Sequence, residues 1–269
     1  MPYLTGMAGE FHMRIVVKVG TSTLTYPTGR LNIRRVETLC RVLSDLKNAG
    51  NEIVLVSSGA IGMGTGKLGF SERPKDMPSK QAAAAVGQCE LMYVYDKLFA
   101  EYNHTAAQIL VTAEDLRDEK RHGNFTNTIV RLLELDALPV INENDTVSTE
   151  EIAFGDNDTL GALSAVSVGA DLLVILTDID GLYTADPRTH PDAVRVPEVR
   201  ELTPEILSSA GGQGSALSSG GMVTKLSAAK LCMEAGVDML IVNGSRPEIL
   251  YEALDGKPVG TRFTGRRTQ

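Results

Sequence analysis

The most constraining feature of this sequence is the alternation of short aliphatic runs with longer segments of helical periodicity. Six runs are almost continuously aliphatic, which is typical of strands buried on both faces. They are RIVVKV (14–19), EIVLVS (52–57), AAQILV (106–111), LPVIN (138–142), DLLVIL (171–176) and DMLIVN (238–243). Between them, apolar residues recur at helical spacing within 33–46, 81–102 and 226–233. This alternation predicts an α/β fold, a three-layer α/β/α sandwich with a mainly parallel, open central sheet.

The length and composition bound the domain organisation. A chain of 269 residues, 43% of them hydrophobic, can form one large α/β domain or two small ones. We find no internal repeat, no low-complexity segment and no linker-like change in composition, so a single domain over 13–269 is predicted. Residues 1–12 lack a cationic segment and a long apolar segment, which argues against a signal peptide. They are predicted to be a disordered lead-in, or to precede a start at Met13.

Charge and cysteine usage exclude several classes of function. The chain has 26 Lys and Arg against 34 Asp and Glu, a net charge of −8, which argues against nucleic-acid binding. The aliphatic runs are too short for a membrane span, which needs about 18 apolar residues. Three widely spaced cysteines form neither a metal-binding spacing nor a disulfide framework. A cytoplasmic protein is therefore expected.

Small, polar and acidic residues come directly after the predicted strands. Lys18 and Gly20 lie at the end of the first strand, and Ser58-Gly59 follow the second. The fourth strand leads to Asp145, and the fifth leads to Thr177-Asp178. In an open parallel sheet, ligands bind outside the carboxyl ends of the strands, so this edge is the predicted site.

Each of these elements also has a purely structural interpretation. Lys18 and Lys225 could be solvent-exposed lysines, since lysine is usually exposed. Ser58-Gly59 could form only a tight turn, and one residue of the GDND segment (155–158) could only cap a helix. The Gly220-Gly221 pair could provide only loop flexibility. Capping accounts for one acidic residue of GDND but not for two.

Two familiar phosphate motifs are excluded. The segment GTGKLG (64–69) matches the GxGxxG pattern, but it does not link a strand to a helix as a dinucleotide fingerprint must. The sequence contains no GxxxxGK[ST] loop, and its four histidines and three cysteines have no zinc spacing.

Taken together, the motifs resemble the amino acid kinase family over about residues 13 to 263. The matching segments are KVGTS, VSSGAI, INENDTV, FGDNDTLGA, LTDIDGLYTADP and SGGMVTK, in this order. The resemblance is strongest to members that use ATP, with Mg²⁺, to phosphorylate the side-chain carboxylate of L-glutamate, the first step of proline biosynthesis. It implies the amino acid kinase fold, inhibition by L-proline and a homo-oligomer, a dimer or a tetramer. Many bacterial relatives carry a C-terminal RNA-binding-like PUA domain, and this chain is expected to be the catalytic domain alone.

The resemblance also implies roles for individual residues. The catalytic residues would be Lys18, Lys225 and Asp158, with Asp158 between the two lysines. Further residues would bind ATP or glutamate, while the ligands of Mg²⁺ are not assigned. The ATP site would comprise Lys18, Thr177, Asp178, Ser219, Gly220, Gly221, Met222, Val223, Thr224 and Lys225. The glutamate site would comprise Ser58, Gly59, Asp145, Asp156 and Asn157.

The residue types are consistent with this chemistry. A carboxylate with a pKa near ~4.3 is already ionised at neutral pH, so its attack on a phosphate needs positive charge rather than a general base. A free α-amino group is cationic and favours a carboxylate partner such as Asp145 or Asp156, which an acylated amine would leave unpaired. The runner-up is an N-acylamino-acid kinase, such as an N-acetylglutamate kinase, on the same fold. A nucleotide-cofactor oxidoreductase and a non-catalytic amino-acid sensor are two further alternatives.

Overall fold

The computed structural model describes residues 12–26, 30–147, 157–210 and 221–265, without the side chains of 208–210. The predicted lead-in therefore lies outside the described residues, except for His12. The strands are β1 (Arg14–Val19), β2 (Glu52–Val56), β3 (Ala106–Val111), β4 (Leu138–Glu143), β5 (Leu172–Thr177), β6 (Glu198–Val199), β7 (Asp238–Asn243) and β8 (Thr261–Phe263). The helices are α1 (Thr21–Leu24), α2 (Ile33–Asn48), α3 (Ala60–Lys67), α4 (Met77–Ala100), α5 (Ala113–Arg117), α6 (Glu119–Glu134), α7 (Asn157–Ser167), α8 (Pro204–Ala210), α9 (Met222–Glu234) and α10 (Ile249–Leu254).

The strands described form one open, mostly parallel sheet, as predicted. Their order is β3-β4-β2-β1-β5-β7-β8-β6. All pairs from β3 to β7 are parallel, whereas β8 runs antiparallel to β7 and pairs in parallel with β6. The six predicted strands are confirmed to within one residue at each end. The sequence analysis missed β6 and β8, because two and three residues are too few to produce a recognisable pattern.

Two hydrophobic layers cover the two faces of the sheet. Successive strand residues point to opposite faces, so Val16 belongs to one layer while Ile15 and Val17 belong to the other. Apolar residues of α6, α7 and α9 build the first layer, and those of α2, α4 and α10 build the second. The predicted three-layer sandwich is therefore confirmed.

Helices α3 and α4 cross at very short range, which places the start of α3 beside the edge of the sheet. A Cβ atom added to Gly64 would lie 1.8 Å from the carbonyl oxygen of Ala83, and one added to Gly87 would lie 1.8 Å from that of Ala60. Only glycine permits this backbone contact. The turn from β2 into α3 also needs glycine, because Gly59 has a left-handed conformation with φ of 100°.

Within the described part of the chain, no helix combines the length and apolarity needed to cross a membrane.

Candidate active site

Lys18 occupies the carboxyl end of β1, on the face covered by α7 and α9. Its residue exposure is only 3%, so its interpretation as a solvent-exposed strand-end lysine is wrong. Helix α7 passes directly over the side chain, and a Cβ on Gly161 would come 3.3 Å from Lys18 Cβ. Glycine at this position lets the aliphatic part of the lysine run between the sheet and the helix.

Asp158, in the first turn of α7, bridges two lysines from distant parts of the sequence. Its Oδ1 lies 2.6 Å from Lys18 Nζ, and its Oδ2 lies 3.0 Å from Lys225 Nζ. Thr224 Oγ1 also donates to Oδ2, at 3.1 Å. Asp158 is fully buried and Lys225 is 4% exposed, so neither a simple helix cap nor an exposed lysine describes this arrangement. The structure brings the three predicted catalytic residues into one cluster.

The charge of this cluster distinguishes it from an ordinary buried ion pair. Two ammonium groups and one carboxylate sum to one positive charge. Burying charges costs free energy that the mutual attraction does not reliably recover, so such a cluster is weak evidence for stabilisation. Positive charge held in place at the carboxyl edge of a parallel sheet is instead suited to binding phosphate.

Helix α9 contributes its N-terminal turn to the same place. The helix begins at Met222 with Gly221 as the N-cap, and among the described residues no side chain caps it. The Thr224 hydroxyl also lies 2.8 Å from the carbonyl of Gly221, so its single hydrogen is shared between this carbonyl and Asp158 Oδ2. Val223 is exposed, whereas Met222 packs partly buried against the core. Uncapped backbone N–H groups at the start of a helix favour anions.

Thr177 and Asp178 lie at the carboxyl end of β5. Thr177 is buried, its hydroxyl donates to Asp178 Oδ1 at 3.1 Å, and Asp178 itself is exposed. The adjacent turn after β7 was missed: Gly244 N–H donates to the Thr177 carbonyl at 2.7 Å, and Asn243 Nδ2 donates to Asp180 at 2.8 Å. The polar residues at the carboxyl end of β7 could have indicated this turn, since Asn243 ends the last predicted strand.

Ser58 and Asn157 meet on the other side of β1. Asn157 Nδ2 donates to Ser58 Oγ at 3.0 Å and to the carbonyl of Ser57 at 2.6 Å. Ser58 is half-buried, while Asn157, which immediately precedes Asp158, is buried. Gly59 is then the N-cap of α3. The turn after β2 and the start of α7, both predicted to bind glutamate, are thus joined by a direct hydrogen bond.

A buried polar network behind this contact was not anticipated. Asn142 Oδ1 lies 2.9 Å from Asn157 Nδ2, as a third oxygen around the two hydrogens of that group, and Asn142 Nδ2 donates to Gln88 Oε1 at 2.8 Å. Tyr95 forms a 2.8 Å hydrogen bond with Ser57 Oγ. Gln88 and Tyr95 sit in the apolar pattern of α4, where sequence alone gives no reason to single them out.

Asp145 is half-buried in the turn after β4. Burial, followed by repulsion from Glu143, raises the pKa of Asp145 from its ordinary value of 3.8 to about 6, against the opposing attraction of Arg73. This carboxylate is therefore held in a place where its own charge is disfavoured. A cationic ligand would relieve that cost.

Three predicted site residues lie outside the described residues. They are Asp156 of the glutamate site and Ser219 and Gly220 of the nucleotide site.

The fold and this site define an α/β protein that holds positive charge at the carboxyl edge of its sheet, and solved structures of two kinases share the fold. Carbamate kinase from Giardia lamblia bound to AMP-PNP has a TM-score of 0.64 at 20% identity, with 95% of this chain and 99% of that chain covered. The isopentenyl phosphate kinase of T. acidophilum, in a product complex, has a TM-score of 0.60 at 20% identity, with 93% and 99% covered.

The chain belongs to the amino acid kinase family, whose family model matches residues 13–243. The glutamate 5-kinase of Clostridium perfringens (strain 13 / Type A) is 53% identical over 258 residues, which cover 94% of this chain and 96% of the relative. That of Listeria innocua serovar 6a is 48% identical over 260 residues, covering 95% and 94%. The predicted family and fold are confirmed, and the protein is a kinase.

Proposed function

We propose that this kinase transfers the γ-phosphoryl group of ATP to the side-chain carboxylate of L-glutamate, giving L-glutamyl 5-phosphate. The observation that carries the proposal is the buried Lys18–Asp158–Lys225 cluster at the carboxyl edge of the sheet. The sequence similarity of the whole chain to proteins named glutamate 5-kinase supports the choice of substrate.

The two lysines act as an electrostatic clamp. Phosphoryl transfer to a carboxylate brings one anion towards another, so most of the catalytic effect has to come from positioning and positive charge. Lys18 approaches the phosphates from β1 and Lys225 from the first turn of α9. Each ammonium is bound to a different oxygen of Asp158, which fixes the spacing between the two charges.

Asp158 organises the lysines rather than abstracting a proton. The glutamate side chain, with an ordinary pKa near ~4.3, is ionised at neutral pH and needs no general base. Each oxygen of Asp158 faces an ammonium group: Oδ1 pairs with Lys18 and Oδ2 with Lys225. A carboxylate bound in this way is poorly placed to accept a further proton.

The nucleotide is assigned to the side of β5 and α9. Backbone N–H groups at the start of α9 favour phosphate, and Thr177 and Asp178 line the adjacent strand end. Mg²⁺ is proposed to enter as part of the MgATP substrate, because Mg²⁺ in such sites usually takes one or two carboxylates together with phosphate oxygens and water.

Glutamate is assigned to the side of β2 and β4. Asn157 and Ser58 offer hydrogen-bonding groups there, and Asp145 offers a carboxylate whose raised pKa would fall on pairing with the substrate ammonium. An acylated amine carries no charge and would leave Asp145 without this partner, which favours free glutamate over N-acetylglutamate. L-Proline, a small amino acid with a charged amine, is proposed to compete with glutamate for the same groups and so to inhibit the first step of proline synthesis.

Turnover with matched substrates tests the proposal. Purified protein would be given MgATP with either L-glutamate or N-acetylglutamate, and the acyl phosphate trapped with hydroxylamine as its hydroxamate. Rapid hydroxamate formation with glutamate alone is expected, and proline should raise the apparent KM for glutamate while leaving that for ATP unchanged. Preference for N-acetylglutamate would overturn the substrate assignment.

A further inference from the structure

The buried network behind Asn157 links the proposed glutamate site to α4. Asn157 contacts Asn142 at 2.9 Å, and Asn142 contacts Gln88 of α4 at 2.8 Å. The residue exposures of Asn142, Gln88 and Asn157 are 2%, 8% and 9%. Because these side chains are shielded from solvent, a hydrogen bond that is lost here is not readily replaced by one to bulk water.

Groups with a single hydrogen-bonding role set the orientation of both asparagines. The Glu143 N–H can only donate, and it lies 2.9 Å from Asn142 Oδ1. The Ser57 carbonyl can only accept, and it lies 2.6 Å from Asn157 Nδ2. Asn142 must therefore turn its Nδ2 towards Gln88 Oε1, which accepts that hydrogen bond.

This orientation decides what Asn157 can offer a ligand. Its Nδ2 is surrounded by three protein oxygens, those of Ser57, Ser58 and Asn142. Oδ1 is the only acceptor in an asparagine side chain, so it is the atom that can accept a hydrogen bond from an ammonium group. If Gln88 lost its acceptor, Asn142 Nδ2 would become a buried donor without its partner. To satisfy Nδ2 elsewhere, Asn142 would have to move, and that movement would weaken its contact with Asn157.

We propose that Gln88 is a positioning residue of the substrate site, which acts through Asn142 to hold Asn157 in the orientation that binds the substrate ammonium. The inference rests on the proposed function in that the ammonium is taken to be that of glutamate. Gln88 itself touches no reacting group. Its contribution is to accept from Asn142 Nδ2, so that Asn142 can keep its Oδ1 facing both the Glu143 N–H and Asn157.

Helix α4 provides a matched control for a merely structural role. Tyr95 lies on the same helix, is fully buried, and forms one hydrogen bond to Ser57 Oγ at 2.8 Å. Tyr95→Phe removes that bond without touching Asn142. A general loosening of α4 would affect both positions alike, whereas of these two residues only Gln88 has a hydrogen bond to Asn142.

The test compares Gln88→Leu, Gln88→Glu and Tyr95→Phe with the parent protein. Leucine has a similar size but no acceptor, and Gln88→Leu is expected to raise the calorimetric Kd for glutamate about tenfold. Its KM for ATP should stay within about twofold of the parent value and its kcat within about threefold. Gln88→Glu keeps an oxygen facing Asn142 and should recover most of the affinity. Tyr95→Phe should lower the denaturation midpoint but leave the Kd for glutamate within about twofold.

Two results would overturn the inference. One is a Gln88→Leu protein that binds glutamate as tightly as the parent, and the other is equal weakening by Tyr95→Phe. Failure of the proposed function would look different, because the parent itself would then neither bind nor phosphorylate glutamate. In that case the coupling of Gln88 to Asn157 can still be tested without any ligand. The test uses the side-chain ¹H–¹⁵N signals of Asn157, which are assigned by their loss in Asn157→Asp. They should move in Gln88→Leu and not in Tyr95→Phe, and unchanged signals in Gln88→Leu would refute the coupling.

Discussion

At the scale of single residues, Lys225 is the group whose charge is best placed to act in the transition state. Lys225→Ala should lower kcat by about 10²–10³-fold with a smaller effect on KM, since a preorganised charge acts mainly on the charge that develops during transfer. Because Lys225 is only 4% exposed, truncation to alanine leaves a cavity, and the variant should also be less stable. Steady-state kinetics and urea unfolding measure the two effects.

Lys230→Ala is the control, because Lys230 lies on the same helix and pairs at the surface with Glu234 at 3.9 Å. This variant should leave both kcat and the unfolding free energy unchanged. Near-normal turnover in a folded Lys225→Ala protein would refute the proposed role of Lys225 in phosphoryl transfer.

Asp145 should make glutamate binding depend on pH. Its pKa of about 6 means that the carboxylate becomes protonated as the pH falls below that value, so the KM for glutamate should rise there while the KM for ATP stays flat. Asp145→Asn should raise the KM for glutamate more than tenfold at neutral pH, since losing one member of a partly buried charge pair costs about 2–5 kcal/mol. The KM of this variant for glutamate should no longer change near pH 6.

Asp96→Asn, at an exposed position, is the control and should keep the pH profile of the parent protein. A variant that binds glutamate normally but loses ATP affinity would place Asp145 on the nucleotide side.

The raised pKa of Asp145 also predicts that this carboxylate lowers the stability of the folded protein in the absence of glutamate. A carboxylate with a folded-state pKa above its unfolded value binds more protons in the folded protein, so this residue's contribution to stability falls as the pH rises from 3.8 to about 6. Asp145→Asn removes the disfavoured charge. Without glutamate, the variant should therefore be the more stable protein at pH 7, by on the order of 1 kcal/mol once partial solvent access is allowed for. Urea unfolding at pH 4 and 7 measures this, and a variant no more stable than the parent at pH 7 would contradict it.

At the scale of elements, the crossing of α3 and α4 fixes where the glutamate side of the site begins. Gly64→Ala would place a methyl group 1.8 Å from a backbone oxygen of α4, so the helices would have to separate. A loss of about 1–3 kcal/mol in unfolding free energy and a higher KM for glutamate are expected, because Ser58 and Gly59 lead directly into α3.

Gly66→Ala is the matched control, since a Cβ there meets nothing within 4 Å. It should raise the unfolding free energy by about 0.5–1 kcal/mol through its better helix propensity. Equal behaviour of the two variants would show that the close crossing is unimportant.

At the scale of the whole molecule, the cysteines report on whether the two hydrophobic layers unfold together. Cys40 is buried in the layer of α2 and Cys232 in the layer of α9, while Cys89 is exposed. Burial raises the pKa of both buried thiols, that of Cys232 to about 12, so only Cys89 should react with a thiol reagent in the native protein. In a urea series, Cys40 and Cys232 should become reactive at the same midpoint if residues 13–269 form a single domain. Two separate midpoints would contradict the single-domain prediction, and Cys89 provides the internal control for reagent activity.

Much of this architecture could be predicted because its signals are local. A strand buried on both faces has to be continuously aliphatic, so β1 and β5 are recognisable from their own residues alone. Parallel pairing then places their carboxyl ends at one edge, which is why Lys18 and Thr177 could be selected as site residues from the sequence. Elements as short as β6 and β8 carry no such pattern, and only the pairing of their backbones with neighbouring chain segments defines them.

The sequence by itself determined the order of the elements, the edge of the sheet that carries the site and, through the family motifs, the residues to examine. The tertiary structure alone decided how those residues act on one another. Whether Lys225 is exposed or buried depends on α9 packing over α7, and a glutamine at position 88 has no visible role until α4 brings it to Asn142. The physical reason is that secondary structure follows from periodicity within a segment. Burial, pKa and hydrogen-bond partners instead follow from contacts between segments far apart in the chain, which only the packed fold defines.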